Sequence, residues 1–188
     1  SKQESDYLLV KSFHIVFESM IDELLGDKDI VKPLKENKDG KIIDHIYKYE
    51  SVINPDPIYY IGDSKYYKLG HGVGDYSEYK QYTYAKNVIQ FNMDLYLNNK
   101  EHLKYRDEIT EGYNVTPNFF ISAYIPNDLS YEQKNISQRD PDSDNLLMTH
   151  FDNRLFDRDT LWLSHFDVNL LYVMGIYARD DSFEKSSF

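Results

Sequence analysis

Cysteine is absent from this 188-residue chain. Its absence excludes disulfides, thiolate zinc sites and thiol catalysis, and fits a cytoplasmic location. Long apolar runs are missing too. None approaches the roughly 18 residues that a bilayer-spanning helix needs, so no membrane partner is expected. The opening "SKQESDYLL" lacks the basic-then-apolar design of a signal peptide. It also lacks an initiator methionine, and a fragment of a longer chain is the expectation. Positive charge is scarce: 21 Lys and Arg stand against 32 Asp and Glu, for a net charge of −11. A protein that binds nucleic acid unaided usually carries a basic surface. The imbalance is uneven. Residues 28–104 hold 12 basic and 11 acidic side chains, and the rest holds 9 against 21. The centre of the chain is therefore the part best able to approach phosphates. If DNA is the ligand, another domain or subunit is expected to help hold it.

With 41% apolar residues, the chain has enough material for a folded domain with one sizeable core, spanning residues 1–188. The 18 tyrosines are compatible with base-stacking surfaces and equally with an AT-rich genome. In "YLLVKSFHIVFESMIDELLGD", apolar residues recur every three or four positions from Leu8 to Leu25 and predict a helix, with Gly26 as its C-cap. "DIVKPLKENKDGK" reads as a loop or short strand with a turn at Asp39-Gly40. "KIIDHIYKYESVI" and "IYYIGDSKYYKL" read as two strands joined through "NPDP", an antiparallel hairpin. The glycines of "GHGVGDYSEYK" lack the lysine-serine/threonine ending of a phosphate-binding loop, and their pattern is too short for a dinucleotide fingerprint. A second helix is expected after Ser77 as N-cap, with Tyr84 or Ala85, Val88, Phe91 or Asn92, and Leu95 facing inward. Strands are expected at Asn118–Ile125 and in "DTLWLSHF", separated by a long acidic loop over residues 127–159 that contains short structured pieces. A closing helix would turn Leu170, Leu171, Val173, Met174 and Tyr177 inward. This order predicts an α/β fold, with a mixed central β-sheet flanked by helices on both faces.

The hairpin carries the most suggestive chemistry. Residues i and i+2 of a strand share a face, so Asp63 and Lys65 project together and Ser64 points away. Magnesium takes oxygen ligands and keeps several waters, so a phosphodiester-cleaving centre needs converging acids and a nearby cation. Alone, an acid and a lysine two apart are a weak signal, because exposed strands often carry such ion pairs. Here the preceding "IYYIG" is apolar and brings Asp63 out at the edge of the core. Two acids compete as its partner. Asp56, of the Pro-Asp pair, lies in the turn, roughly 20 Å along an extended strand from Asp63. With the turn centred between Pro55 and Asp56, residue 44 faces residue 67, which starts the first strand near Asp63 and Lys65. Asp44 is the preferred partner.

Asp44, "IGDSKYYK" with Asp63, Ser64 and Lys65, helical "YKQYTYAKNV" with Gln81, and "VFESM" with Glu18 together resemble the PD-(D/E)XK nuclease superfamily. Within it, "FE", "DSKYYK" and "KQYTYA" resemble the nuclease domains of McrC-like and LlaJI-type restriction endonucleases. The resemblance covers about residues 13–95. Two departures are visible: Asp44 follows Ile43 rather than a proline, and the family's glutamine-x-x-x-tyrosine is one residue short, Tyr84 standing three after Gln81. The resemblance implies a restriction-endonuclease-like core and a restriction enzyme that hydrolyses double-stranded DNA with Mg²⁺ or Mn²⁺. It implies that Asp44 and Asp63 bind the metal, with the Ser64 backbone carbonyl a further ligand and Glu18 an additional carboxylate. Lys65 assists the attacking water, and Gln81 orients phosphate or water. Partners compatible with it are a second copy of the chain and a subunit that recognises DNA or hydrolyses nucleotide.

Two other readings compete. His150-Phe151-Asp152 and His165-Phe166-Asp167 suggest a His/Asp metal site, but match no spacing such as HExxH. No Gly-x-Ser-x-Gly elbow is present for serine hydrolysis. The acidity and the Asp-rich loop instead favour a catalytically inactive, nuclease-like binding or assembly module.

Overall fold

The computed structural model describes residues 10–37, 40–50, 57–66, 75–98, 118–132, 134, 136–139, 163–179 and 185. In chain order the elements are α1 (Phe13–Leu25), a single turn α2 (Lys32–Lys35), β1 (His45–Glu50), β2 (Pro57–Lys65), α3 (Asp75–Leu97), β3 (Asn118–Tyr124), β4 (Ile136–Gln138), β5 (Leu163–Asn169) and α4 (Leu170–Ala178). The strands form one open mixed sheet in the order β1-β2-β3-β5-β4. The hairpin β1–β2 is antiparallel, β2–β3 and β3–β5 are parallel, and β4 pairs antiparallel with β5.

Helices cover both faces. On one, Phe17, Met20 and Ile21 of α1 and Leu170 and Val173 of α4 pack with Phe119, Ile121 and Val168 of the sheet. On the other, Leu34 of α2 and Tyr84, Ala85 and Val88 of α3 pack with Ile46, Tyr59 and Ile61. A smaller cluster, Tyr82, Phe120 and Leu163, continues this second layer. With neighbours on both edges and helices on both faces, β3 buries Asn118 to Ser122 without a break. That is why "NFFIS" is a continuous run rather than an alternation. Gly62 sits where an added Cβ would lie 2.4 Å from the Phe119 ring, so this strand position must be bare.

The expected α/β architecture is present, with differences in detail. Helix α1 ends at Gly26 as expected, its N–H bonding to the Asp22 carbonyl at 2.8 Å. Leu8 and Leu9 lie outside the described residues. "KPLK" forms one helical turn rather than a strand, since Pro33 suits a helix's first positions. Gly40, at φ +80°, makes the expected turn, bridged by Glu36 and Ile42. Helix α3 already begins at Asp75, so Ser77 is inside it rather than capping it. In α4 the third buried position is Ile176; Tyr177 is 41% exposed. Part of residues 127–159 forms β4, exposed along its whole length. Among the described residues, no helix is long and apolar enough to cross a membrane.

Candidate active site at the end of the hairpin

The site begins with the alternation of β2. Tyr59 and Ile61 face α3, and Asp63 and Lys65 continue that face toward the strand's end. Asp63 is 1% exposed, and Lys65 pairs with its Oδ2. The Lys65 Nζ also lies 5.4 Å from the centre of the Phe120 ring, on the next strand. Register decides the second acid. His45 faces Gly62, and one further step along the same ladder sets Asp44 opposite Asp63. This differs from the expected register, in which residue 44 faces residue 67. The correction strengthens the choice of Asp44, whose carboxyl hydrogen-bonds to that of Asp63. Asp56 lies outside the described residues.

A half-buried carboxyl, Asp44, this close to a buried one, Asp63, cannot ionise as freely as it would alone. Burial, the hydrogen bond to Asp63, and the charges of Asp63 and Glu18 push the Asp44 pKa well above the usual carboxylate range, against a smaller pull from Lys80. Burial also acts to raise Asp63. The hydrogen bond from Asp44 and the charge and hydrogen bond of Lys65 outweigh it, with help from Lys80, and its pKa is lowered. The two acids therefore titrate as a pair, with Asp44 the one pushed up and Asp63 the one pulled down.

Helix α3 supplies a residue the sequence reading missed. Lys80 is raised in pKa: burial acts against its charge, and the charges of Asp63 and Asp44 prevail. Its Nζ sits 5.4 Å from the centre of the Tyr84 ring, one turn on. The Tyr84 hydroxyl donates to the Ile42 carbonyl at 2.8 Å, which docks this face of α3 beside Asp44. The available signal was the spacing of Lys80 and Tyr84, four apart and hence on one helix face. Lys80 stands four residues before Tyr84, where the resemblance places a glutamine. Gln81 itself is fully buried, and neither of its amide atoms has a hydrogen-bond partner. Its backbone carbonyl accepts from Asn118 Nδ2 at 3.1 Å.

The opposite face was also missed. Ser64 points away from the acids, as alternation requires, and its Oγ lies 2.5 Å from His45 Nε2. His45 Nδ1 lies 3.4 Å from Asp22 Oδ1, and Asp22 also accepts from Lys35 Nζ. A cleft of about 370 Å³, lined in part by Asp22, Glu23, Asp27 and Lys35, lies beyond Asp22 and away from the acid pair.

Of the expected residues, the fold brings together Asp44, Asp63 and Lys65, and places Glu18 within charge range of Asp44. Among the described residues no group of three or more His, Asp or Glu side chains is gathered to hold a metal ion. The pair still suits a hard cation on its own chemistry: two oxygen donors crowded together, with a proton doing the neutralising that a cation does. His165 is buried with neither ring nitrogen hydrogen-bonded, and Asp167 is held by Arg139; His150 and Asp152 lie outside the described residues. No protein-family model, curated protein or solved structure matches the chain.

Proposed function

We propose that this chain is a divalent-metal-dependent DNA endonuclease of a restriction system, built on a restriction-endonuclease-like core and hydrolysing phosphodiester bonds. The observation that carries the reading is the placement of the half-buried Asp44 directly across the hairpin from the buried Asp63, with Lys65 paired to Asp63. Asp44 and Asp63 would hold Mg²⁺ or Mn²⁺, joined by the Ser64 backbone carbonyl, with Glu18 as an outer carboxylate. The bound ion supplies a water of lowered pKa and neutralises charge on the phosphate. Lys65 orients the attacking water and offsets negative charge as it develops. Lys80 adds a second cation on the α3 side. The partnerless Gln81 amide is suited to orient phosphate or water. The net charge of −11 makes a second copy or a DNA-binding subunit the natural source of positive surface.

A second reading, an inactive binding module of nuclease-like fold, is favoured by the same acidity and by the lack of a three-ligand group among the described residues. Plasmid cleavage with Mg²⁺ or Mn²⁺ separates the two. The expected result is metal-dependent cleavage that disappears in Asp63→Ala and in Lys65→Ala. Cleavage that survives both substitutions overturns the centre. A wild-type chain that cuts with neither metal supports the binding module.

A further inference from the structure

The acids stand on one side of the hairpin, and a hydrogen-bonded chain stands on the other. Asp22 of α1, His45 of β1 and Ser64 of β2 are linked in series, at 3.4 Å and 2.5 Å. His45 is fully buried. Its sequence neighbour is Asp44, and the neighbours of Ser64 are Asp63 and Lys65. The link is diagonal, since the residue directly across from His45 is Gly62. Diagonal cross-strand neighbours come within reach when the opposite position is empty. Gly62 puts no side chain between them, and the Phe119 ring packs over the bare position.

The chemistry fixes the direction of the chain. Two Lys35 contacts and the His45 contact hold Asp22, and despite burial its pKa is lowered. An ionised carboxylate only accepts, so His45 Nδ1 donates to it, and Nε2 is the nitrogen that pairs with the Ser64 hydroxyl. Asp22 also stands one turn after Glu18 on α1, the spacing at which two side chains share a helix face. Helix α1 is tied to β1 a second time at its end: the Asp27 N–H bonds the Ile46 carbonyl at 2.9 Å, and the Lys48 N–H bonds Asp27 Oδ2 at 2.7 Å.

We propose that Asp22, His45 and Ser64 form a positioning brace that sets the spacing of Asp44 and Asp63 and brings Glu18 into register with them. The proposal rests on the nuclease reading. It assigns the three side chains no contact with substrate or metal; they act through the backbone that carries the ligands. Outer partners bonded directly to metal ligands are worth about 10- to 100-fold in metal affinity, and a brace acting through the backbone is expected at the lower end of that range.

The test uses Mn²⁺ as the probe, followed by the electron paramagnetic resonance signal of the free ion, beside plasmid cleavage at varied Mn²⁺. Ser64→Ala is the main variant, since Ser64 is only half-buried and thermal melting can confirm that it folds. It is expected to weaken Mn²⁺ binding about tenfold and to raise the Mn²⁺ needed for half-maximal cleavage. Ser64→Thr, which keeps the hydroxyl, recovers most of that affinity. Asp22→Asn gives a second, independent break of the chain with the same direction of effect. Glu18→Gln weakens Mn²⁺ binding in the wild type and has a smaller effect in the Ser64→Ala background, because the brace no longer aligns α1. Unchanged Mn²⁺ affinity in folded Ser64→Ala, or a Ser64→Thr as weak as Ser64→Ala, overturns the brace while leaving the nuclease reading intact. A wild-type chain that neither binds Mn²⁺ nor cuts DNA overturns the nuclease reading, and the brace with it.

Discussion

Two parallel strands carry a polar pair on the α3 face, two residues apart: Asp63 and Lys65 on β2, His165 and Asp167 on β5. Phe120 lies between them in register, facing Asp63 on one side and His165 on the other. Strand alternation alone sets each pair on a single face. Their surroundings differ. Asp167 meets one cation, Arg139, in a two-pronged contact at 2.6 and 2.8 Å, and its charge is balanced. Asp63 meets a second carboxyl as well as lysines, and the crowding of the two acids raises the pKa of Asp44. Balanced charge at β5 is what a structural ion pair looks like. Two acids crowded together beside lysines are the arrangement on which the proposed metal site rests.

The largest effect expected from breaking this contrast is on the crowded side. Asp44→Asn should lower metal-dependent cleavage about a hundredfold or more, the scale of several kcal/mol that metal-held charge supplies. Asp56→Asn, at the position the sequence reads as the hairpin turn, should leave it within about a factor of two. Cleavage lost only in Asp56→Asn would transfer the role to the Pro-Asp pair. The next effect is on the β5 side and on stability. Burial, and then the Arg139 charge, lower the His165 pKa to about 4, against a smaller pull from Asp167. In the unfolded chain the ring takes its proton below about 6.5. Between those two pH values the unfolded state binds more protons, so stability falls as pH drops from 6.5 toward 4. The loss from this ring reaches up to about 3 kcal/mol. Urea midpoints at pH 7 and pH 4.5 should therefore separate by less in His165→Leu than in the wild type; an equal separation would show the ring charged or partnered in the folded protein. The smallest effect is from the balanced pair. Arg139 and Asp167 are each about a quarter exposed, so Arg139→Ala should cost about 1–2 kcal/mol in denaturant unfolding. Cleavage per folded molecule should not change, and a large loss of activity would extend the centre across Phe120 to β5.

Element types were legible because their causes are local. The three- and four-residue spacing of Phe17, Met20 and Ile21 makes α1, and alternation places Asp63 and Lys65 on one face of β2. Register was less legible. The pairing of His45 with Gly62 depends on how the chain between Glu50 and Pro57 closes, and two-residue differences in that closure leave every side chain on its own face. The hydrophobic pattern therefore accepts either alignment, and only the folded hairpin selects the one that joins Asp44 to Asp63. Tyr177 and Ile176 differ by one position on a helix whose residues are nearly all apolar, so periodicity alone cannot choose which one turns inward.

The sequence by itself determined the mixed α/β order, the shared face of Asp63 and Lys65, and the opposite direction of Ser64, because each follows from backbone geometry within a few residues. Tertiary structure alone decided the register that sets Asp44 directly across from Asp63, the placing of Lys80 of α3 within charge range of the pair, and the link of His45 to Ser64 and Asp22 across the hairpin. Each of these joins residues distant in the chain, and such contacts depend on how α1, the hairpin and α3 dock, which no local pattern encodes.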